Sequence, residues 1–242
     1  RFSSGANHGY YEIDSSEAAW NSDSDENGRN LAYKIRHKEG YFPVPPHDTQ
    51  QDIRTEMVLE LEKAGITVEA QHHEVATGGQ AEIDMKFSPL VNMADKLMMY
   101  KYIIKNVAAR NGKTVTMMPK PLFGDNGSGM HTHQSLFKGK TNAFFDPKTE
   151  HQLSAVALSY VEGLLQHARG FCAITNPLVN SYKRLVPGHE APTAIAWSEK
   201  NRSPLVRVPA ARGDGTRVEQ RLPDPSCNPY LALTVMLRAG LD

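Results

Sequence analysis

Gly124-Asp125-Asn126-Gly127-Ser128-Gly129-Met130-His131-Thr132-His133-Gln134-Ser135 runs from a glycine-rich turn into an alternating segment. Side chains of a strand point to opposite faces with a period of two. His131, His133 and Ser135 therefore share one face, and Met130, Thr132 and Gln134 the other. The glycines just upstream let backbone approach a ligand closely. Two imidazoles and a hydroxyl on one strand face, fed by a permissive loop, make this the place to look for chemistry.

Working outward, the upstream chain is first irregular and then well patterned. Gly9 to Ile13 and Leu31 to Ile35 read as short strands, with the acidic run Asn21 to Gly28 as a solvated loop between them. The prolines of Gly40 to Pro46 force an extended path. Asp48 is placed to cap a helix carrying Ile53, Met57, Leu61 and Ala64 and ending at Gly65. Ile66 to Val75 and Ala81 to Phe87 form a hairpin. A second helix runs from Val91 to Arg110, with Met93, Met98 and Met99 as core filler. Thr114 to Met118 is a strand leading into the opening stretch.

Downstream, a helix is expected over Ser154 to Ala168 and a loop-rich region over Asn176 to Pro192. Strands follow at Ala194 to Trp197, Leu205 to Val208 and Arg217 to Leu222. A last helix starts at Asn228-Pro229, with proline in its first turn. Strands and helices mix without strict β-α-β alternation. That predicts α+β: a largely antiparallel curved sheet with flanking helices.

Composition narrows the function. The 27 basic and 27 acidic residues cancel, so no electrostatic footprint for nucleic acid or a membrane surface exists. The longest apolar stretch, Tyr230 to Leu237, is far too short to span a bilayer. Cys172 and Cys227 suit a reducing cytoplasm better than a disulfide framework. Arg1-Phe2 at one end, and Asp242 straight after an apolar helical run at the other, lead us to expect a piece of a longer protein.

Polar residues cluster in four places. His72-His73-Glu74 and Glu82 lie on the two arms of the predicted hairpin, where paired carboxylates suit a hard divalent cation or simply solvent. Glu69, an odd number of residues from Glu74, falls on the opposite face of a regular strand. His131 and His133 suit zinc, manganese or a structural role equally. Asn180 to Pro192 is a polar loop holding Arg184 and Glu190, of the kind that closes over a site or merely turns at the surface. Arg202, Arg207, Arg212, Arg217 and Arg221, with Glu219 on the Arg217–Arg221 face, fit carboxylates and phosphoryl groups or surface ion pairs. No phosphate-binding loop with its lysine is present.

Several motifs in order resemble bacterial type I glutamine synthetases. They are His73-Glu74-Val75-Ala76; Lys120-Pro121 leading into Gly124 to His131; Asn180 to Gly188; Asn201-Arg202-Ser203; and Asn228-Pro229-Tyr230-Leu231. The match is colinear from about Tyr41 to Asp242. The resemblance implies part of the catalytic domain of a cytoplasmic ligase that joins ammonium to L-glutamate at the expense of ATP. It works through γ-glutamyl phosphate and two Mg²⁺ or Mn²⁺ ions, in a homo-dodecamer of two hexameric rings. Nucleic acid and membrane are not among its partners.

By the same resemblance, Glu74 and Glu82 bind one metal, and His131 and Glu219 the other. Asn126, Gly127, Arg184 and Arg221 hold glutamate. Glu69, Phe87, His133 and Ser135 line the ATP site, Glu190 takes a proton from ammonium, and Arg202 and Arg207 stabilise the transferring phosphoryl group. The family's upstream metal-binding glutamates, amino-terminal domain and carboxy-terminal tail are expected outside these residues. Asp214 stands where some members carry a lysine near the phosphates. Rival readings are an amine or polyamine ligase of the same fold, a catalytically dead relative kept as a scaffold, and a zinc hydrolase built on His131 and His133.

Overall fold

The computed structural model describes residues 2–21 and 33–242. The acidic loop and the first part of the expected Leu31 to Ile35 strand lie outside the described residues. The chain divides into two compact units, Arg1–Thr116 with Pro121–Asn126, and Met117–Lys120 with Gly127–Asp242.

The first unit opens with a hairpin, β1 (Phe2–Gly5) and β2 (His8–Tyr11). Helix α1 (Gln51–Lys63) buries Met57 and Leu61 and packs on α2 (Leu90–Arg110) and β3 (Val68–His73). Burying a leucine fully stabilises by about 1.5–3 kcal/mol, and Leu61 is fully enclosed. Strand β3 pairs antiparallel with β4 (Ala81–Met85), placing His72 opposite Glu82. Helix α2 turns Ala94, Ile104, Val107 and Ala108 inward and ends at Asn111 before Gly112.

Three expectations fail here. Asp48 does not cap α1: the N-cap position is Gln50, with no side-chain cap. Asp48 instead is buried and held by Arg54, with Nη1–Oδ1 3.0 Å and Nη2–Oδ2 2.5 Å, while Gln50 N–H donates to Oδ1 at 3.1 Å. A full guanidinium–carboxylate pair outcompetes a single cap bond. Met98 and Met99 are exposed, 46% and 48%, because the buried stripe of α2 passes them by. Thr114 to Met118 forms no strand.

The second unit carries a four-stranded sheet in the order β5 (Thr132–Gln134), β10 (Val218–Gln220), β9 (Pro204–Val208), β8 (Ala194–Glu199). Its β10–β5 and β10–β9 pairs are antiparallel and its β8–β9 pair is parallel. A small hairpin, β6 (Phe137–Lys138) and β7 (Thr141–Asn142), follows β5. Helix α3 (Ala155–Gln166) is capped by Ser154, whose hydroxyl accepts Ala157 N–H at 3.1 Å. Helix α4 (Ala168–Thr175) follows α3, and the region expected as loop from Asn176 to Pro192 instead holds α5 (Val179–Arg184). Helix α6 (Pro229–Leu241) starts on Asn228, whose Oδ1 accepts Tyr230 N–H at 3.0 Å and Leu231 N–H at 3.3 Å.

The period-two reading of β5 is visible in what lies on its core face. Gln134 accepts from the Tyr160 hydroxyl of α3 at 2.7 Å and meets Met236 of α6, so the helices pack on that side. The histidine face is left for chemistry. No helix among the described residues is long and apolar enough to cross a membrane.

Candidate functional site

In the second unit the site grows from one buried carboxylate. Strand register sets Glu219 of β10 directly between His133 of β5 and Arg207 of β9. Glu219 Oε1 lies 2.6 Å from Arg221 Nη1 and 3.5 Å from His131 Nδ1, and Oε2 lies 2.8 Å from Arg207 Nε. Arg221 shares the Glu219 face by the strand's period, as the sequence implies. Arg217 uses the same alternation to donate from Nε to His133 Nδ1 at 3.0 Å. That bond fixes the tautomer of His133, leaving its Nε2–H to point elsewhere. Arg202 stands at the surface before β9; desolvation lowers the pKa of Arg221, and the charges of Arg207 and Arg202 add to the fall.

Both histidines are held neutral. Desolvation first, and then the guanidinium groups of Arg221 and Arg184, push His131 well below its usual value. With 30% of that side chain still open to solvent, the cationic neighbours are the firmer cause, and both act in one direction. His133 is pushed down to about 4 by desolvation, which prevails over the pull of Glu219, with Arg217, Arg207 and Arg221 adding to the fall. A neutral His131 keeps a lone pair for a metal or a hydrogen-bond donor, whereas that of His133 Nδ1 already accepts from Arg217.

Arg184, on α5, is buried against β10: Nη1 donates to Leu222 O at 2.9 Å and Nη2 to Arg221 O at 3.0 Å. Desolvation lowers its pKa to about 10, so it stays charged. The glycines of the opening stretch make room for it. A Cβ on Gly129 would sit 2.5 Å from Arg184 Nη2 and 2.8 Å from His131 Nε2, and one on Gly127 would sit 2.5 Å from Pro119 O. Glu190 is exposed and takes a left-handed φ of 57°, an unfavourable conformation for a non-glycine residue, while its carbonyl accepts from Arg221 Nη2 at 3.3 Å. Ser135, just past β5, is exposed; Asp214 lies in a short turn at Gly213–Gly215.

The first unit holds a separate donor set. Ligand atoms of His72, Glu74 and Glu82 all lie within 4.8 Å of one another. His72 Nδ1 meets its neighbour's carbonyl, His73 O, at 3.0 Å, and Nε2 lies 3.3 Å from Glu82 Oε1. Burial, then the charge of Glu74, raises the pKa of Glu82. A carboxylate whose pKa is raised by burial and by the charge of a second carboxylate is a place where a divalent cation relieves repulsion, so the donor chemistry fits. Asp84, one strand repeat beyond Glu82, is lifted to about 6 by desolvation and by Glu82. Asn126 is buried and belongs to this unit; its Oδ1 makes no hydrogen bond.

Glu69 sits at a register shift between Val68 and Ala70, which breaks the regular alternation used to place it. Glu69 and Phe87 are exposed, Phe87 by 83%, in the first unit, whereas His133, Ser135, Arg202 and Arg207 belong to the second. Sequence patterning named Arg217 but not its bond to His133, and it did not single out Asp84. For Asp84 the period-two spacing from Glu82 was the available signal.

Comparison with known proteins settles the family. The family model described as glutamine synthetase, catalytic domain, matches residues 2–242. The chain belongs to the glutamine synthetase catalytic-domain family. It is 55% identical over 244 residues to a glutamine synthetase of Streptomyces filamentosus, covering 100% of this chain and 52% of that protein. A glutamine synthetase of Microchaete diplosiphon is 56% identical over the same share of this chain and 51% of its own length. The cryo-EM structure of Plasmodium falciparum glutamine synthetase superposes with a TM-score of 0.90 at 33% identity, covering 100% of this chain and 48% of that one. The chain thus spans about half the length of the relatives it matches, and its α+β architecture is that of the glutamine synthetase catalytic domain.

Proposed function

We propose that the protein containing this chain is a glutamate–ammonia ligase, making L-glutamine, ADP and phosphate from L-glutamate, ammonium and ATP in the cytoplasm. The observation that carries this reading is the Glu219 node, one buried carboxylate ringed by a neutral imidazole and two guanidinium groups. Phosphoryl transfer asks a protein for positioning and charge neutralisation more than for covalent chemistry, and such a node supplies both.

In this reading Arg184 and Arg221 meet the carboxylates of glutamate, with Asn126 and the backbone at Gly127 on its amino-acid end. Arg202 and Arg207 offset the charge spread over the transferring phosphoryl oxygens. Glu69, Phe87, His133 and Ser135 take the nucleotide. The γ-carboxylate attacks the γ-phosphorus of ATP as ADP leaves, giving an acyl phosphate, and Glu190 accepts a proton from ammonium. The nitrogen lone pair then forms the C–N bond as phosphate leaves with the C–O electron pair and takes up the second nitrogen proton. Two Mg²⁺ or Mn²⁺ ions, held by Glu74 with Glu82 and by His131 with Glu219, would neutralise phosphate charge when bound. The working protein is proposed to be a dodecamer of two hexameric rings, and this length of chain alone to be inactive.

The test is glutamine formation by the full-length protein, followed by coupled release of ADP. Dependence on ammonium, with putrescine inert, is expected. Turnover with putrescine in place of ammonium would transfer the assignment to the polyamine ligases, and no turnover with either would leave the scaffold reading.

A further inference from the structure

Beneath the first donor set lies a pair of ionisable side chains that the proposed reaction does not use. Glu17 and His73 have no side-chain exposure, and His73 Nε2 lies 2.7 Å from Glu17 Oε1. The other ring nitrogen, Nδ1, faces the carbonyl oxygens of Gly40 at 2.8 Å and Glu74 at 2.6 Å. Carbonyl oxygens only accept, so Nδ1 carries a hydrogen. Glu17 Oε2 accepts both the hydroxyl of Thr49 at 2.6 Å and its N–H at 3.1 Å. Every polar atom of the pair is thereby satisfied, the condition under which a buried polar network orders its surroundings.

The surroundings are the backbone of Glu74. His73 holds its carbonyl, Gln80 O accepts its N–H at 2.8 Å, and its own carboxylate Oε2 accepts Val75 N–H at 2.8 Å. Gly40 comes so close that a Cβ there would lie 2.5 Å from Glu74 O, so the imidazole reaches two strands of backbone at once. Thr77 adds a second tie, its N–H donating to buried Asp125 Oδ2 at 2.9 Å.

We propose that Glu17 and His73 are positioning residues for Glu74: the pair fixes the peptide at Glu74 and so the direction in which its carboxylate points. This rests on the reading of Glu74 as a metal ligand. Neither residue touches the donor atoms of Glu82; they act through the backbone, as outer groups orient ligating side chains in other metal sites.

The experiment titrates Mn²⁺ by electron paramagnetic resonance into the full-length protein, with hydrogen exchange over residues 74–80 as a second readout. Glu17→Gln keeps the shape of the acid and removes its charge. Mn²⁺ binding weakened about ten-fold, with faster exchange over 74–80 and an intact cooperative melt, is the expected result. Affinity within two-fold of wild type in a folded Glu17→Gln protein would overturn the proposal. Should that variant fail to fold, Thr49→Val removes one hydroxyl donor at constant volume; unchanged affinity and unchanged exchange there would overturn it equally. Glu74→Gln separates the two claims. If it binds Mn²⁺ like wild type, Glu74 is not a ligand, and the exchange data alone decide whether the pair holds its backbone.

Discussion

Glu219 shows how a single side chain can be stabilising and functional at once. Its carboxylate is buried with two guanidinium groups and one imidazole, an arrangement that is costly if any partner is lost. Glu219→Gln leaves Arg221 and Arg207 facing an amide, and should lower stability by about 3 kcal/mol in urea melts. A loss below about 0.5 kcal/mol, typical of an inert surface site, would show that the node is not desolvated. Asp48 offers a pH test. Burial raises its pKa, but the hydrogen bond and charge of Arg54 more than offset that, and the net direction is down. A depressed carboxyl stabilises fully above its unfolded value of about 4 and loses that contribution as pH falls through the folded value. Arg54→Met should therefore be clearly less stable than wild type at pH 7, and the gap should close as the pH drops below 4. A gap unchanged by acid would rule the pair out as its source.

At the scale of elements, β5 tests the alternation on which the sequence reading began. Tyr160→Phe removes the hydroxyl that Gln134 accepts from the core side, leaving a partly buried amide short of a partner. It should cost about 1 kcal/mol and leave the histidine face untouched, so Mn²⁺ binding should not change while the melting temperature falls. Asn228→Ala strips the two cap bonds of α6 and should cost about 1 kcal/mol; an unchanged melt would mean that packing alone sets the start of that helix. Elements set by local rules were legible: the β3–β4 hairpin, α2 with its Asn111-Gly112 stop, and Asn228-Pro229 opening α6. What escaped was decided by partners distant in sequence. Asp48 reads as a cap until Arg54 claims it, and Asn180 to Arg184 reads as loop although α5 carries Arg184 onto β10. The donor residues were visible as types, and the hairpin and strand period grouped Glu74 with Glu82 and Glu219 with Arg221; pairings across distant elements were not visible. Nothing local says that Arg217 fixes His133, or that Glu17 reaches His73 across fifty-six residues.

Over the whole molecule the question is how much of the reaction this length of chain supports. The first unit offers three donors near one another, His72, Glu74 and Glu82. The second offers His131 and Glu219, and both Glu219 oxygens already meet guanidinium groups. Mg²⁺ asks for six ligands in near-octahedral order and Mn²⁺ accepts similar oxygen-rich sets, so water or further protein groups must complete each shell. Two donors beside two fixed positive charges make the weaker site. The 242-residue chain by itself is therefore expected to bind one Mn²⁺ measurably and a second at least about ten-fold more weakly, and to form no glutamine. Mn²⁺ titration by electron paramagnetic resonance, run beside an ATP- and ammonium-dependent glutamine assay, checks both statements. Two sites of equal affinity would mean that the guanidinium groups leave Glu219 at no cost. Glutamine made by the isolated chain would mean that its own residues complete both shells. Stoichiometric zinc that resists chelation would instead point to the histidines as a hydrolytic centre, because glutamate-rich sites with one neutral imidazole surrender Mg²⁺ or Mn²⁺ readily.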